Sequence, residues 1–147
     1  MTLEAINTWH QRARPEPTLV HFGTQVGCHI EEFVEMLDSL SFRATDEQRQ
    51  MMGVAHSVLE LVSRDLKSGA MTVRVENRKE LLDAMADQIV TAVGVGHCAQ
   101  VDILEACKRV NDSNWSKFTP EGQPIFKEGG KIAKGPNYVE PDLEGLY

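Results

Sequence analysis

The chain predicts an all-α, four-helix-bundle-like fold, and three observations carry that expectation. Apolar residues recur at three- and four-residue spacing along several stretches. Polar residues of the helix-capping kind stand at the starts of the later stretches, most clearly in T-D-E-Q at Thr45 to Gln48. The apolar complement is mostly Leu, Val, Ile, Ala and Met, with aromatics at only 6%, as a helical bundle prefers.

Each element can be justified in turn. Leu3, Ile6 and Trp9 or His10 share one side of a short helix over 2–12, which stops at R-P-E-P because Pro15 and Pro17 forbid continuation. A second helix over 18–40 carries Val26, Ile30, Phe33, Val34 and Leu37. The third opens at the Thr45 capping box, runs to 67 and ends at Gly69, with Val54, Val58, Leu61, Val62 and Leu66 as its apolar face. A fourth starts at Asn77 with Glu80 as capping partner and runs through 95 or beyond, on a core stripe of Leu82, Met85, Ile89 and Val93. Ala92, Gly94 and Gly96 are small enough for another helix or subunit to approach closely. A fifth helix opens at Asp102 with Glu105 as box partner and ends within 111–114. From Trp115 onward periodicity disappears, and four of the seven lysines fall there. Trp115, Phe118, Ile125, Phe126, Ile132 and Tyr138 are too apolar for a free linker, so 115–147 is expected to be an ordered irregular arm. The whole chain, 1–147, is expected to be one domain.

Composition narrows the function. A net charge of −7 argues against a nucleic-acid polymer or an anionic membrane as partner. Cys28, Cys98 and Cys107 form no C-x-x-C pair and read as reduced thiols. No signal-peptide pattern and no apolar run near twenty residues is present, so the expected compartment is the cytoplasm.

The chemistry lies in two acidic stretches. Glu31, Glu32 and Glu35 fall in E-E-F-V-E, and Asp83 and Asp87 in D-A-M-A-D. Three- and four-residue spacing places each set on one helix face. Two carboxylates about 4 Å apart repel by roughly 4 kcal/mol at an effective dielectric near 20, so convergence of the two faces requires protons or cations. All-oxygen ligation points to Mg²⁺ or Mn²⁺ rather than zinc. Aspartate is a poor helix former, and 81–100 contains no Lys or Arg to pair with Asp83 and Asp87. A purely structural reading instead pairs them with Arg109 or Lys108, and a third makes the acidic face a non-catalytic docking surface for a basic partner. His97 and Cys98 are helix neighbours about 100° apart, which rules out a nucleophilic pair. No P-loop or dinucleotide-binding glycine pattern is present.

With E-E-F-V-E and D-A-M-A-D followed by V-N-D-S-N-W-S-K (Val110 to Lys117) and G-K-I-A-K-G-P-N-Y (Gly130 to Tyr138), the chain resembles the MazG-like, all-α nucleoside triphosphate pyrophosphohydrolases. The motifs cover 25 to the C-terminus. Two departures stand out: many relatives place E-x-x-D on the second metal helix, where here Ala84 and Asp83 stand, and Gln100 occupies a position often held by glycine. The compact length and lysine-bearing tail are similar to bacteriophage versions of the MazZ type, which convert dGTP to dGMP and act in the host cytoplasm.

The resemblance implies hydrolysis between the α- and β-phosphates of a nucleoside triphosphate, with dGTP or GTP the leading candidates and dUTP or phosphoribosyl-ATP the alternatives. It implies two or three Mg²⁺ or Mn²⁺ ions on Glu32, Glu35, Asp83 and Asp87, with Glu31 as general base or water-orienting group and Glu35 its competitor. Asn114, Lys117, Lys131, Lys134 and Tyr138 are the implied phosphate-binding residues. Trp9, His21, Gln25 and His29 are the candidates for the base pocket. A homodimer, or a tetramer built as a dimer of dimers, is the implied assembly.

Overall fold

In a computed structural model that describes residues 3–127 and 130–147, the described residues form five α-helices: α1 (Leu3–Ala13), α2 (Leu19–Asp38), α3 (Asp46–Ser68), α4 (Arg78–Cys98) and α5 (Ile103–Trp115). The all-α class is borne out. Among the described residues no single helix is long and apolar enough to cross a membrane.

Local chemistry sets the helix ends. Thr45 and Gln48 form the expected reciprocal capping box, and Gly69 closes α3 in the left-handed region at φ 78°. Asn77 accepts from the N–H groups of Lys79 and Glu80, and Asp102 from that of Glu105. At α2 the cap is less usual. Thr18 accepts from the His21 N–H, and His21 Nδ1 accepts from the Thr18 N–H at 3.2 Å. Helix α4 ends in a Schellman turn, with Val101 N–H donating to the Gly96 carbonyl and Gln100 N–H to that of His97. Gln100 takes the left-handed position at φ 61°, where glycine is the unstrained residue.

The chain divides into two compact units. One comprises Pro17–Arg74 with Glu128–Lys131 and holds α2 and α3; the other comprises Met1–Glu16, Val75–Lys127 and Ile132–Tyr147 and holds α1, α4 and α5.

In the first unit α2 and α3 pack as an antiparallel hairpin through 39–45. Gly27 meets Ser63 near one end and Asp38 meets His56 near the other. A Cβ on Gly27 would stand 2.8 Å from the Ser63 carbonyl oxygen and 2.8 Å from Lys67 Cγ, so only glycine permits this approach. The Ser63 hydroxyl donates to the Gly27 carbonyl at 2.8 Å, and Val34 and Leu66 are buried. The expected apolar face of α3 separates into two: Leu66 lies against α2, while Val54, Val58 and Leu61 are exposed.

In the second unit α1 packs on α5, and Trp9, Ala13 and Phe118 form a buried core joined by Ile132. Among the described residues of 115–147, several backbone groups are tied down by hydrogen bonds. Ser113 Oγ donates to the Val139 carbonyl at 2.7 Å, Val139 N–H donates to Ser116 Oγ at 2.8 Å, and Asp102 N–H donates to the Leu146 carbonyl at 2.9 Å. Gly96 lets α4 approach α5, since a Cβ there would meet Ile103 Cβ at 2.8 Å. The rest of α4 differs from the expectation of a core stripe: Leu82, Met85, Ile89 and Val93 are all exposed, Leu82 by 73%. The α5 contact is confined to its C-terminal end, so spacing alone did not report which face of α4 is covered.

Candidate functional site

Gly27 makes a charge cluster on α2 possible. With no side chain at that position, the aliphatic stem of Lys67 lies across α2 and its ammonium reaches Glu31, one helical turn on, at 2.5 Å. Lys131 binds the other oxygen of the same carboxylate at 2.8 Å. Burial pushes the Glu31 pKa up, but the hydrogen bonds and charges of Lys131 and Lys67 outweigh it and hold the group below its ordinary value. Lys131 is raised in turn, chiefly by its hydrogen bond to Glu31. The half-buried Cys28 thiol is pushed up by burial, with these same charges acting on it.

Beside this cluster a cavity of about 350 Å³ opens between α2 and α3. Glu31, Val34, Glu35, Asp38, Glu60, Ser63 and Lys67 line it. Its polar wall continues into His56, whose Nε2 lies 2.9 Å from Asp38 and whose Nδ1 lies 3.4 Å from Glu60. Sequence reading missed Asp38, His56 and Glu60. The available signal was the hairpin itself: two long helices joined by 39–45 must set the C-terminal half of α2 beside the middle of α3, where His56 and Glu60 fall.

The other expected site residues are distributed as follows. Glu32 stands on the exposed surface of α2. Asp83 and Asp87 are exposed on α4 in the second unit, and among the described residues neither has an ion-pair partner. Arg109 and Lys108, the cations of the structural reading, sit on Glu105 instead, at 3.3 and 3.5 Å, and Arg109 also donates to the Asp142 carbonyl at 2.8 Å. In the second unit Lys117 donates to Asn114 Oδ1 at 2.6 Å, and Lys134 lies 4.5 Å over the Tyr138 ring and 3.5 Å from Glu140. These residues therefore form two pairs, while Lys131 belongs with Glu31. Among the base-pocket candidates, Trp9 is buried and stacked on Phe118 with ring centroids 5.7 Å apart, and His21 serves the α2 cap. Gln25 and His29 are exposed on α2.

Hard carboxylate oxygens facing one cavity have the donor chemistry of a Mg²⁺ or Mn²⁺ site. Among the described residues no group of three or more His, Cys, Asp or Glu is gathered in metal-binding geometry, so the fit rests on donor type and shared lining. Comparison of the chain with protein-family models, with curated proteins and with solved structures finds no match.

Proposed function

We propose that this chain is a metal-dependent nucleoside triphosphate pyrophosphohydrolase of the MazG-like, all-α type, acting on a (d)NTP with dGTP or GTP as the first substrates to test. The observation that carries the reading is the α2–α3 cavity, which Glu31, Glu35, Asp38 and Glu60 line together with Lys67. Its volume is within the range of small-molecule sites.

In the proposed reaction a water oxygen attacks the α-phosphorus, the bond from that phosphorus to the oxygen bridging to the β-phosphorus breaks, and a nucleoside monophosphate and pyrophosphate leave. When bound, Mg²⁺ or Mn²⁺ would neutralise the triphosphate and acidify the attacking water. Glu35, with Asp38 and Glu60, supplies hard oxygen donors in the cavity, and Glu32, Asp83 and Asp87 are the further ligands expected from the motifs. Glu31 is ionised and already holds two ammonium groups, which makes it a weak proton acceptor. It suits orientation of the water, and Glu35 suits proton abstraction. Lys67 and Lys131 can exchange carboxylate for phosphate oxygens.

A second reading is favoured by one observation: Glu31 is fully engaged by two lysines, as in a structural ion-pair cluster. On that reading the acidic face is a non-catalytic docking surface, screened by salt and without saturable Mn²⁺ binding. Product identification after incubation with each common NTP and dNTP, with dUTP and phosphoribosyl-ATP included, in Mg²⁺, Mn²⁺ or EDTA, separates the readings. Monophosphate plus pyrophosphate, lost in EDTA, is the expected result. No release from any nucleotide contradicts the enzyme reading.

A further inference from the structure

At the edge of the cavity an imidazole stands between two carboxylates. His56 and Glu60 are four residues apart on α3, so their side chains share a face. His56 Nε2 lies 2.9 Å from an Asp38 oxygen of α2, an ordinary hydrogen-bond distance, while Nδ1 lies 3.4 Å from Glu60 Oε2. The two contacts differ in kind. An ionised Asp38 can only accept, so Nε2 carries the proton of that bond, and in the neutral ring Nδ1 is left with a lone pair. The distance from Nδ1 to Glu60 is beyond the usual N–H···O range, and it sets that lone pair near a carboxylate oxygen. Two such donor atoms repel unless a proton or a metal cation stands between them.

We propose that His56 Nδ1 and the Glu60 carboxylate chelate a divalent transition-metal ion of the zinc or cobalt class, with Asp38 orienting the imidazole. Three features select this ligand. Metal bonds of about 2.1 Å to nitrogen and oxygen, meeting near the tetrahedral angle, place the two donors about 3.4 Å apart. Nδ1 and Oε2 stand at that separation. A metal-bound histidine characteristically donates its other N–H to a carboxylate or carbonyl, which fixes the tautomer and strengthens the donor; Asp38 fills that place. An imidazole donor favours zinc, cobalt or nickel over Mg²⁺, which takes oxygen ligands. The His56 and Glu60 side chains are 31% and 61% exposed, so an ion can enter from solvent. Among the described residues no third His, Cys, Asp or Glu completes the set, and the remaining coordination positions fall to water or an anionic ligand. The site shares Glu60 with the catalytic reading but does not depend on it, since its second donor is an imidazole and its test uses no nucleotide.

Titration of Co²⁺ into the full, metal-stripped chain, followed by visible absorption, tests the proposal. The expected result is one Co²⁺ per chain with the intense absorption of tetrahedral coordination, displaced by Zn²⁺ and not by Mg²⁺. His56→Gln and Glu60→Gln should each weaken binding by more than about tenfold, and Asp38→Ala by about tenfold. If His56→Gln loses helical circular dichroism, Glu60→Gln decides, because its side chain is exposed. Absence of saturable Co²⁺ binding would make the ring an imidazolium donating to both carboxylates and overturn the proposal. Unchanged affinity in any folded variant, which would assign the ion to other histidines or to the cysteines, would overturn it as well, as would the weak absorption of a six-coordinate ion.

Discussion

Helices α2 and α4 carry the same kind of signal in sequence, acidic residues at three- and four-residue spacing beside apolar ones, yet their surroundings are opposite. On α2, Glu31 is gripped by Lys67 and Lys131, Val34 is buried, and Glu35 and Asp38 line a cavity that Glu60 of α3 lines as well. On α4, Asp83 and Asp87 have no ion-pair partner among the described residues, and the apolar stripe next to them is exposed. Spacing reports which side chains share a face. What stands opposite that face is decided by tertiary packing, here by the absence of a side chain at Gly27.

The largest contrast to test is in turnover. Glu35→Gln should lower pyrophosphate release by roughly 10²-fold or more, as loss of a proton-transfer or ligand group does. Asp87→Asn should do the same if the α4 acids are ligands, with the fold intact because no native ion pair is lost. Near-parental turnover in Asp87→Asn would confine the site to the α2–α3 cavity.

Packing gives the next contrast. Leu66→Ala should cost about 2–5 kcal/mol in urea unfolding, as for a buried leucine. Leu82→Ala, on the exposed face of α4, should stay within about 0.5 kcal/mol. A large loss at Leu82 would show that α4 is covered in solution.

Glycine to alanine should change sign between the two helices. At Gly27 the new methyl meets the Ser63 carbonyl and Lys67, and about 1–3 kcal/mol should be lost. At Gly94 nothing lies within 4 Å, and Gly94→Ala should gain about 0.5–1 kcal/mol from helix propensity. Gln100→Gly, at the left-handed turn that ends α4, should likewise gain about 1 kcal/mol.

The smallest effect concerns pH. Glu31 is depressed below 4.5, so its contribution is complete above that value and is lost as pH falls through the lowered pKa. Lys131 is raised above 10.5, so its contribution is complete below that value and is lost as pH rises through the raised pKa. The difference in Tm between the parent and Lys131→Met should therefore be level across neutral pH and narrow at both ends. A difference that varies between pH 6 and 9 would contradict this pair of shifts.

The helix starts and the Gly69 stop were legible because caps are local: Thr45, Asn77 and Asp102 each act within three residues. The His21 partner of Thr18 was not, since histidine is an uncommon member of a capping box. The glutamates of α2 were found by their spacing. Glu60 escaped because it is 25 residues from Glu35 and has Ser63 and Arg64, with no acid, one turn further on. Lys67 escaped for a different reason: its reach to Glu31 depends on an empty position on another helix. The bare faces of α3 and α4 read as core stripes because an exposed apolar stripe and a buried one have the same period.

Calorimetric titration of Mn²⁺ into the parent chain, Glu35→Gln and Asp87→Asn tests the central claim most directly. The account predicts saturable binding to the parent and at least tenfold weaker binding to Glu35→Gln, with Asp87→Asn deciding whether the α4 acids act as ligands. Absence of saturable binding to the parent, or equal affinity in Glu35→Gln, would contradict a metal centre built on the carboxylates of α2.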